Sequence, residues 1–94
     1  MIQSFKDEAT AELFLARKSR RWQSIKAVTL RKLDMIHAAV LLTDLRVPPG
    51  NRLEALSGGR KGQHSIRIND QYRICFVWND NDGAHEVEIV DYHS

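Results

Sequence analysis

Cysteine is all but missing from this chain. Cys75 stands alone among 94 residues, so no internal disulfide can close, and neither a cysteine-built zinc site nor a secreted disulfide scaffold is open to it. A reducing cytosol is the compartment that fits. No run approaches the roughly 18 to 20 apolar residues of a membrane span, and the opening Met-Ile-Gln-Ser-Phe-Lys has no apolar stretch of the signal-peptide kind. The expectation is a cytoplasmic protein with no membrane partner. Length is also short: 94 residues leave room for one compact domain, 1–94, and no second. Compositional bias is absent too, since 43% hydrophobic and 28% charged residues are ordinary for a folded protein.

Acidic residues are missing from one stretch. Between positions 17 and 32 lie Arg17, Lys18, Arg20, Arg21, Lys26, Arg31 and Lys32 with no acid among them, although the whole chain carries a formal charge of only +2. Such a stretch is either a solvated helix face or a docking surface for nucleic acid or an acidic protein segment. Charge by itself does not separate the two.

What is present divides the chain at Val47-Pro48-Pro49-Gly50-Asn51, where helix formation must stop. Before it, residues 2–5 alternate as a short strand would. Asp7 is placed to cap a first helix that runs to about Lys18, with Ala9, Leu13, Phe14 and Ala16 as its apolar stripe. A second helix is predicted from about Trp22 or Ser24 to Leu42, on a stripe of Ile25, Val28, Leu33, Ile36 and Val40, and the two form a hairpin through a basic turn. After the prolines the period changes to two. Arg52 to Leu56 reads as a short strand, Ser57 to Gly62 as a glycine-rich loop, and His64–Ile68, Tyr72–Trp78 and His85–Tyr92 as strands of an antiparallel sheet. The fold class is α+β, an N-terminal strand and helix hairpin packed on that sheet. Trp22 and Trp78 are expected to anchor core or interface rather than stack on bases.

Register supplies the first functional clue. A three-residue loop Asn69-Asp70-Gln71 sets Ile66 opposite Ile74 and His64 opposite Phe76, and on the other face Arg67 opposite Arg73 and Ser65 opposite Cys75. Two arginines face to face are either screened by solvent or gather an anion, and arginine's planar fork matches phosphate.

The run from Asn51-Arg52-Leu53-Glu54-Ala55-Leu56 through Ser57-Gly58-Gly59-Arg60-Lys61-Gly62 to Gln71-Tyr72-Arg73-Ile74-Cys75-Phe76 resembles the core of HigB-type toxins of the RelE/ParE superfamily. The ending Val87-Glu88-Ile89-Val90-Asp91-Tyr92-His93 resembles theirs, as do the Ile-Gln-Ser-Phe start and the Pro-Pro-Gly crossover. The resemblance implies a RelE-like fold and a toxin of a type II toxin-antitoxin system that cuts mRNA on the ribosome. It also implies a HigA-like helix-turn-helix antitoxin as partner, with operator DNA reached through that antitoxin. The chain departs from one branch of the family, which has a histidine and a lysine where Glu54 and Ser57 stand and often an acid in place of Gly59. His64 fills a position that is often aromatic.

Cleaving RNA calls for a base at the 2′-hydroxyl, positive charge on the phosphorane-like transition state and an acid for the 5′-oxygen. His93 is the first choice for proton transfer. Arg73 and Arg60 are the candidates for the phosphate, the latter from a loop whose glycines admit an anion to backbone N–H groups, with Arg67 and Lys61 beside them. Glu54 or Asp91 would serve as base or orient His93, or else sit in surface salt bridges, and Tyr92 would stack on a base or donate a hydrogen bond. Pairing Phe76 with Val87 puts Tyr92 on the Arg73 face and Asp91 and His93 on the other. Arg17, Lys18, Arg20, Arg21 and Lys26 are the expected docking residues for the antitoxin or ribosomal RNA. The spacing of His64, His85 and His93 matches no standard zinc pattern, so no metal or other cofactor is expected. Two other functions are weighed: a ParE-like gyrase inhibitor, and a non-catalytic antitoxin-binding co-regulator.

Overall fold

The computed structural model describes residues 1–92. Two helices, α1 (Glu8–Ala16) and α2 (Lys26–Ala38), pack on a four-stranded antiparallel sheet of β1 (Glu54–Ala55), β2 (His64–Arg67), β3 (Tyr72–Asn79) and β4 (Gly83–Asp91). The strands follow in the order β1-β2-β3-β4, so every connection is a simple antiparallel turn or loop.

Asp7 caps α1 as its position predicts, its Oδ1 accepting the Thr10 N–H at 2.7 Å. The helix ends two residues before the expected Lys18. Arg17 turns left-handed at φ 59°, and its guanidinium lies 5.2 Å from the Phe14 ring centre while pairing with Asp34 of α2 at 2.9 Å. That cross-link fixes one helix against the other. A 3-10 turn over Gln23–Ile25, entered through a Trp22 N–H to Ser19 Oγ bond of 2.9 Å, replaces the first turn expected of α2.

The other end of α2 differs more. The hydrophobic period continues through Val40 to Leu42, yet the helix stops at Ala38 and Val40 is 77% exposed. The cause is Asp44, whose carboxylate accepts the N–H groups of both Val40 and Leu41 at 3.0 and 2.9 Å and turns the chain into a 3-10 segment, Leu42–Arg46. Side-chain capping here overrides periodicity.

The crossover is held from inside. Asn51 is fully buried, and its Nδ2 donates to the carbonyls of Leu45 and Val47 at 3.2 and 3.4 Å while its Oδ1 accepts from Lys32 Nζ. The polar groups of a proline-rich connection that has no ladder to join are thereby satisfied.

On the helix side of the sheet the core gathers Leu13, Leu33, Ile36, Ile66, Ile74, Phe76 and Val87, all fully buried. Each such side chain contributes about 1.5 to 3 kcal/mol relative to exposure. Trp22, at 4% exposure, joins them as expected, and Trp78 packs partly buried at the edge of the same cluster. Thr10 ties α1 to the sheet by accepting the Ile89 N–H at 3.4 Å.

Residues 2–5 form no strand of their own. They run parallel to β4 and meet it at two isolated bridges, Ile2 with Ala84 and Phe5 with Val87. The reason lies in β4, where Glu86 and Val87 together oppose Phe76 and Glu86 takes φ 51°, its N–H bonding Ser4 Oγ at 2.9 Å. This bulge shifts the β3–β4 register beyond Cys75, so His85 faces Val77. The expected strand over Arg52–Leu56 shortens for a related reason: Arg52 is left-handed, φ 48°, and only Glu54 and Ala55 pair with β2.

Candidate functional site

The sheet face turned away from the helices carries the polar chemistry. Alternation places Glu54, Ser65, Cys75 and Glu88 across it in one row and Arg67, Arg73 and Val90 in the next, since Glu54 pairs with Ser65, Ser65 with Cys75, Cys75 with Glu88, Arg67 with Arg73, and Arg73 with Val90. The predicted opposition of Arg67 and Arg73 is present. Asn69 closes the hairpin that sets it, its Oδ1 accepting the N–H groups of Gln71 and Tyr72 at 2.8 and 2.7 Å.

Each arginine on this face has an acid beside it. Arg67 pairs with Asp70, and Arg73 Nη1 lies 3.1 Å from Glu54 Oε1. Arg60, on the loop between β1 and β2, donates through Nη1 to Gln63 Oε1 at 3.1 Å and Glu88 Oε2 at 3.2 Å. Glu88 also pairs with Lys6 at 3.2 Å. Lys61 follows Arg60 on the same loop and is exposed.

Two donors here lack hydrogen-bond partners among the described residues. The Ser65 hydroxyl is fully buried with none, and Arg73 Nη1, though close to Glu54, is misaligned for a hydrogen bond to it. A buried donor without an acceptor is costly, and a phosphate oxygen is a strong acceptor.

Tyr92 comes to this face, as the strand parity predicts. Its ring centre lies 5.2 Å from the Arg73 guanidinium carbon. Burial, together with Cys75 beneath it, pushes its hydroxyl above the usual tyrosine range. Burial likewise raises the Cys75 thiol, against the opposing pull of Arg60 and a hydrogen bond with Tyr92. For Arg60 burial is the largest single influence and works against the charge, but the hydrogen bond to Glu88 and the negative groups of Glu88, Cys75 and Tyr92 together outweigh it, and the guanidinium titrates above its ordinary value. It is a permanent cation.

Asp91 lies across the sheet edge, opposite Tyr72, where its Oδ2 accepts from Gln71 Nε2 at 3.1 Å. The structure therefore brings Arg60, Arg67, Arg73, Glu54 and Tyr92 to one face and leaves Asp91 on the other. His93 falls outside the described residues. Glu88, Ser65 and Gln63 are site residues that the residue-type argument passed over, and Lys6 borders the site only through its ion pair with Glu88. The register does place Ser65 opposite Cys75 on the arginine face, as expected, and it could have found Glu88 as well, because Glu88 shares the parity of Arg73.

The basic stretch behaves differently. Lys18, Arg20 and Lys26 line a cleft at the mouth of the helix pair together with Glu12, Ser19 and Gln23. Arg21 stacks 4.9 Å from the Trp22 ring centre, and Arg17 is engaged by Asp34. None of these residues belongs to the Arg73 face. Lys32, the last of the stretch, is turned inward to Asn51. Burial, with Arg31 and Arg67 nearby, lowers its pKa from the ordinary lysine value.

With this geometry in place, the relatives of the chain become informative. The sequence profile of HigB-like toxins, described as RelE-like toxins of the type II toxin-antitoxin system HigB, matches residues 3–93. The chain is 44% identical over 82 residues to Toxin HigB-1 of Vibrio cholerae serotype O1, an alignment spanning 85% of this chain and 86% of that protein. It is also 46% identical over 55 residues to an uncharacterized protein of Haemophilus influenzae, across 58% of this chain and 54% of the other.

Proposed function

The chain belongs to the HigB-like family of RelE-like toxins of type II toxin-antitoxin systems, and on that premise we propose that it is a ribosome-dependent mRNA endonuclease acting in the cytoplasm. Membership implies an antitoxin partner. The antitoxin in this proposal is a HigA-like helix-turn-helix protein, which also brings the toxin to operator DNA.

The observation that carries the activity is the convergence of Arg73, Arg60 and Tyr92 on the sheet face turned away from the helices, where Arg73 Nη1 has no hydrogen-bond partner among the described residues. A scissile phosphate seated there meets donors already fixed by strands, which is where electrostatic stabilisation is strongest. Arg73 and Arg60 hold the non-bridging oxygens, with Arg67 and Lys61 attracting the flanking backbone. Glu54, on this face beside Arg73, takes the 2′-hydroxyl proton as that oxygen attacks phosphorus, a role that Asp91 on the other face is not placed to fill. The bond to the 5′-oxygen breaks, and an acid, proposed to be His93, protonates the leaving oxygen. Tyr92 supports a neighbouring base by stacking. A free-standing acid and base pair is weak on this face, which fits a reaction in which the ribosome supplies alignment of the message.

The basic cleft of Lys18, Arg20 and Lys26, with Arg17 and Arg21 at its margin, is the proposed docking surface for the antitoxin or ribosomal RNA. Induced expression tests the activity: growth should stop, and mapping of transcript ends should show new 5′ ends within translated regions. Arrest with intact messages overturns the ribonuclease reading in favour of a gyrase-directed toxin, and no arrest favours a non-catalytic co-regulator.

A further inference from the structure

Glu88 poses a physical problem. Its carboxylate is only 14% exposed and sits in the middle of a face proposed to bind phosphate, where a negative charge repels the ligand. A buried carboxylate persists only if paired, and Glu88 is paired twice, with Lys6 and with Arg60, each at 3.2 Å. Lys6 alone would neutralise it. The contact with Arg60 therefore calls for a separate explanation.

The geometry of that contact supplies one. Arg60 spends a single nitrogen, Nη1, on both Gln63 and Glu88, so these bonds engage one corner of the guanidinium fork and leave its Nη2 and Nε edge for another acceptor. Arg60 ends a 3-10 turn, Gly58–Arg60, whose backbone is closed by the Arg60 N–H to the Ser57 carbonyl at 3.2 Å, but its long side chain extends beyond that turn and is restrained by what it meets. An arginine so placed loses rotamer entropy when it grips a phosphate unless it is held beforehand. Gln63 is only three residues along the same segment, at the β1–β2 end of the sheet where its carbonyl accepts the Leu56 N–H at 2.9 Å; Glu88 is on β4 and ties Arg60 across to the other side of the sheet.

We propose that Glu88 is a positioning residue: it anchors one corner of Arg60 to the sheet so that the other edge is presented to an RNA phosphate beside Arg73. This inference rests on the ribonuclease reading for its substrate, though not for the phosphate contact itself. Lys6 balances the charge of Glu88 and takes no part in the presentation.

Two measurements test it on the intact protein. The first is single-turnover cleavage on programmed ribosomes; the second is affinity for a short 2′-O-methyl oligoribonucleotide, which cannot be cut, at low salt. Arg60→Ala should lower the cleavage rate about 100-fold, in the range for loss of one fixed donor. Glu88→Gln should lower it about 10-fold, and the double variant should fall no further than Arg60→Ala alone, because Glu88 acts only through Arg60. Glu88→Asp, which keeps the charge, should recover more activity than Glu88→Gln, which keeps the shape. Lys6→Gln should stay within about threefold of the wild type. In the binding arm the same non-additivity should appear.

Additive losses in the double variant, or a Glu88→Gln protein that binds the oligonucleotide as tightly as the wild type, overturn the proposal. Absence of cleavage by the wild type overturns the ribonuclease reading alone, and the binding arm then still decides the role of Glu88. If the wild type does not bind the oligonucleotide either, no phosphate is presented to Arg60 and the proposal falls too.

Discussion

The guanidinium carbon of Arg73 lies 5.2 Å from the centre of the Tyr92 ring, which joins the middle of the sheet to the end of its last strand. An arginine placed against an aromatic face keeps its charge while losing rotational freedom. Arg73 is thus held from one side by the ring and from the other by the Glu54 carboxylate 3.1 Å away. That arrangement holds Arg73 by stacking and charge while its Nη1 still has a hydrogen bond to give.

Replacement of Arg73 should therefore be the most damaging single change to activity. Arg73→Ala is expected to abolish growth arrest and to reduce single-turnover cleavage by about 100- to 1,000-fold, the range seen when one fixed donor to a transition state is removed. Arg73→Lys should recover little, because a lysine offers no planar fork. Primer extension on messages from programmed ribosomes measures both.

Cys75 should be chemically silent in the native protein. It is fully buried and its thiol is raised by that burial, so iodoacetamide at mildly alkaline pH should modify it only after denaturation, as mass spectrometry would show. The same shift carries a sign for stability. Above the ordinary thiol value of 9.0 the unfolded chain has lost a proton that the folded chain still holds, so stability falls as pH rises through that window. Tyr92, also raised, acts in the same direction, whereas Lys32, lowered from 10.5, acts against it. Cys75→Ala should flatten the alkaline loss seen in urea titrations between about pH 8.5 and 10.

Asn51→Ala should destabilise the fold by about 2 to 3 kcal/mol. Two carbonyls lose their donor and the Lys32 ammonium loses its acceptor, all in a region of full burial at Asn51. A lower urea midpoint with an unchanged slope is the expected result.

Gly83→Ala should cost at least about 2 kcal/mol. Gly83 has φ 112°, and a methyl group there would come within 2.2 Å of the Met1 carbonyl oxygen, a backbone atom that moves only if the N-terminal segment does. Thermal unfolding should report a fall of several degrees.

Charge reversal at Arg20 and Arg21 should weaken association with the antitoxin or the ribosome by about 10-fold or more at low salt, while leaving the melting temperature within a few degrees. Co-purification and ribosome pelleting measure the two associations. If both survive the reversal, the helix cleft is not the docking surface.

Much of the site was legible because a strand has a period of two. Once Asn69-Asp70-Gln71 is recognised as a tight turn, the opposition of Arg67 to Arg73 and the arrival of Tyr92 on the same face follow from counting, and both are present. The parity of Glu88 matches that of Arg73 as well, but a carboxylate carries no signal by residue type for a phosphate-binding face. The end of α2 was not legible: Val40, Leu41 and Leu42 continue the apolar spacing, and only a side chain further on, Asp44, diverts the backbone. The bulge at Glu86 was equally hidden, since a glutamate at positive φ carries no turn signature. The N-terminal segment alternates like a strand but meets β4 only at two bridges on either side of that bulge.

Those two bridges also order events during synthesis. Residues 1–6 have their seat on β4, which is made about eighty positions later, so a nascent polypeptide that has not yet released residues 83–92 leaves its own beginning without a resting place. The arginines of the open face are likewise without the ring and carboxylate that β4 and its end provide. A half-made copy thus has neither a seat for its first residues nor a finished arginine face.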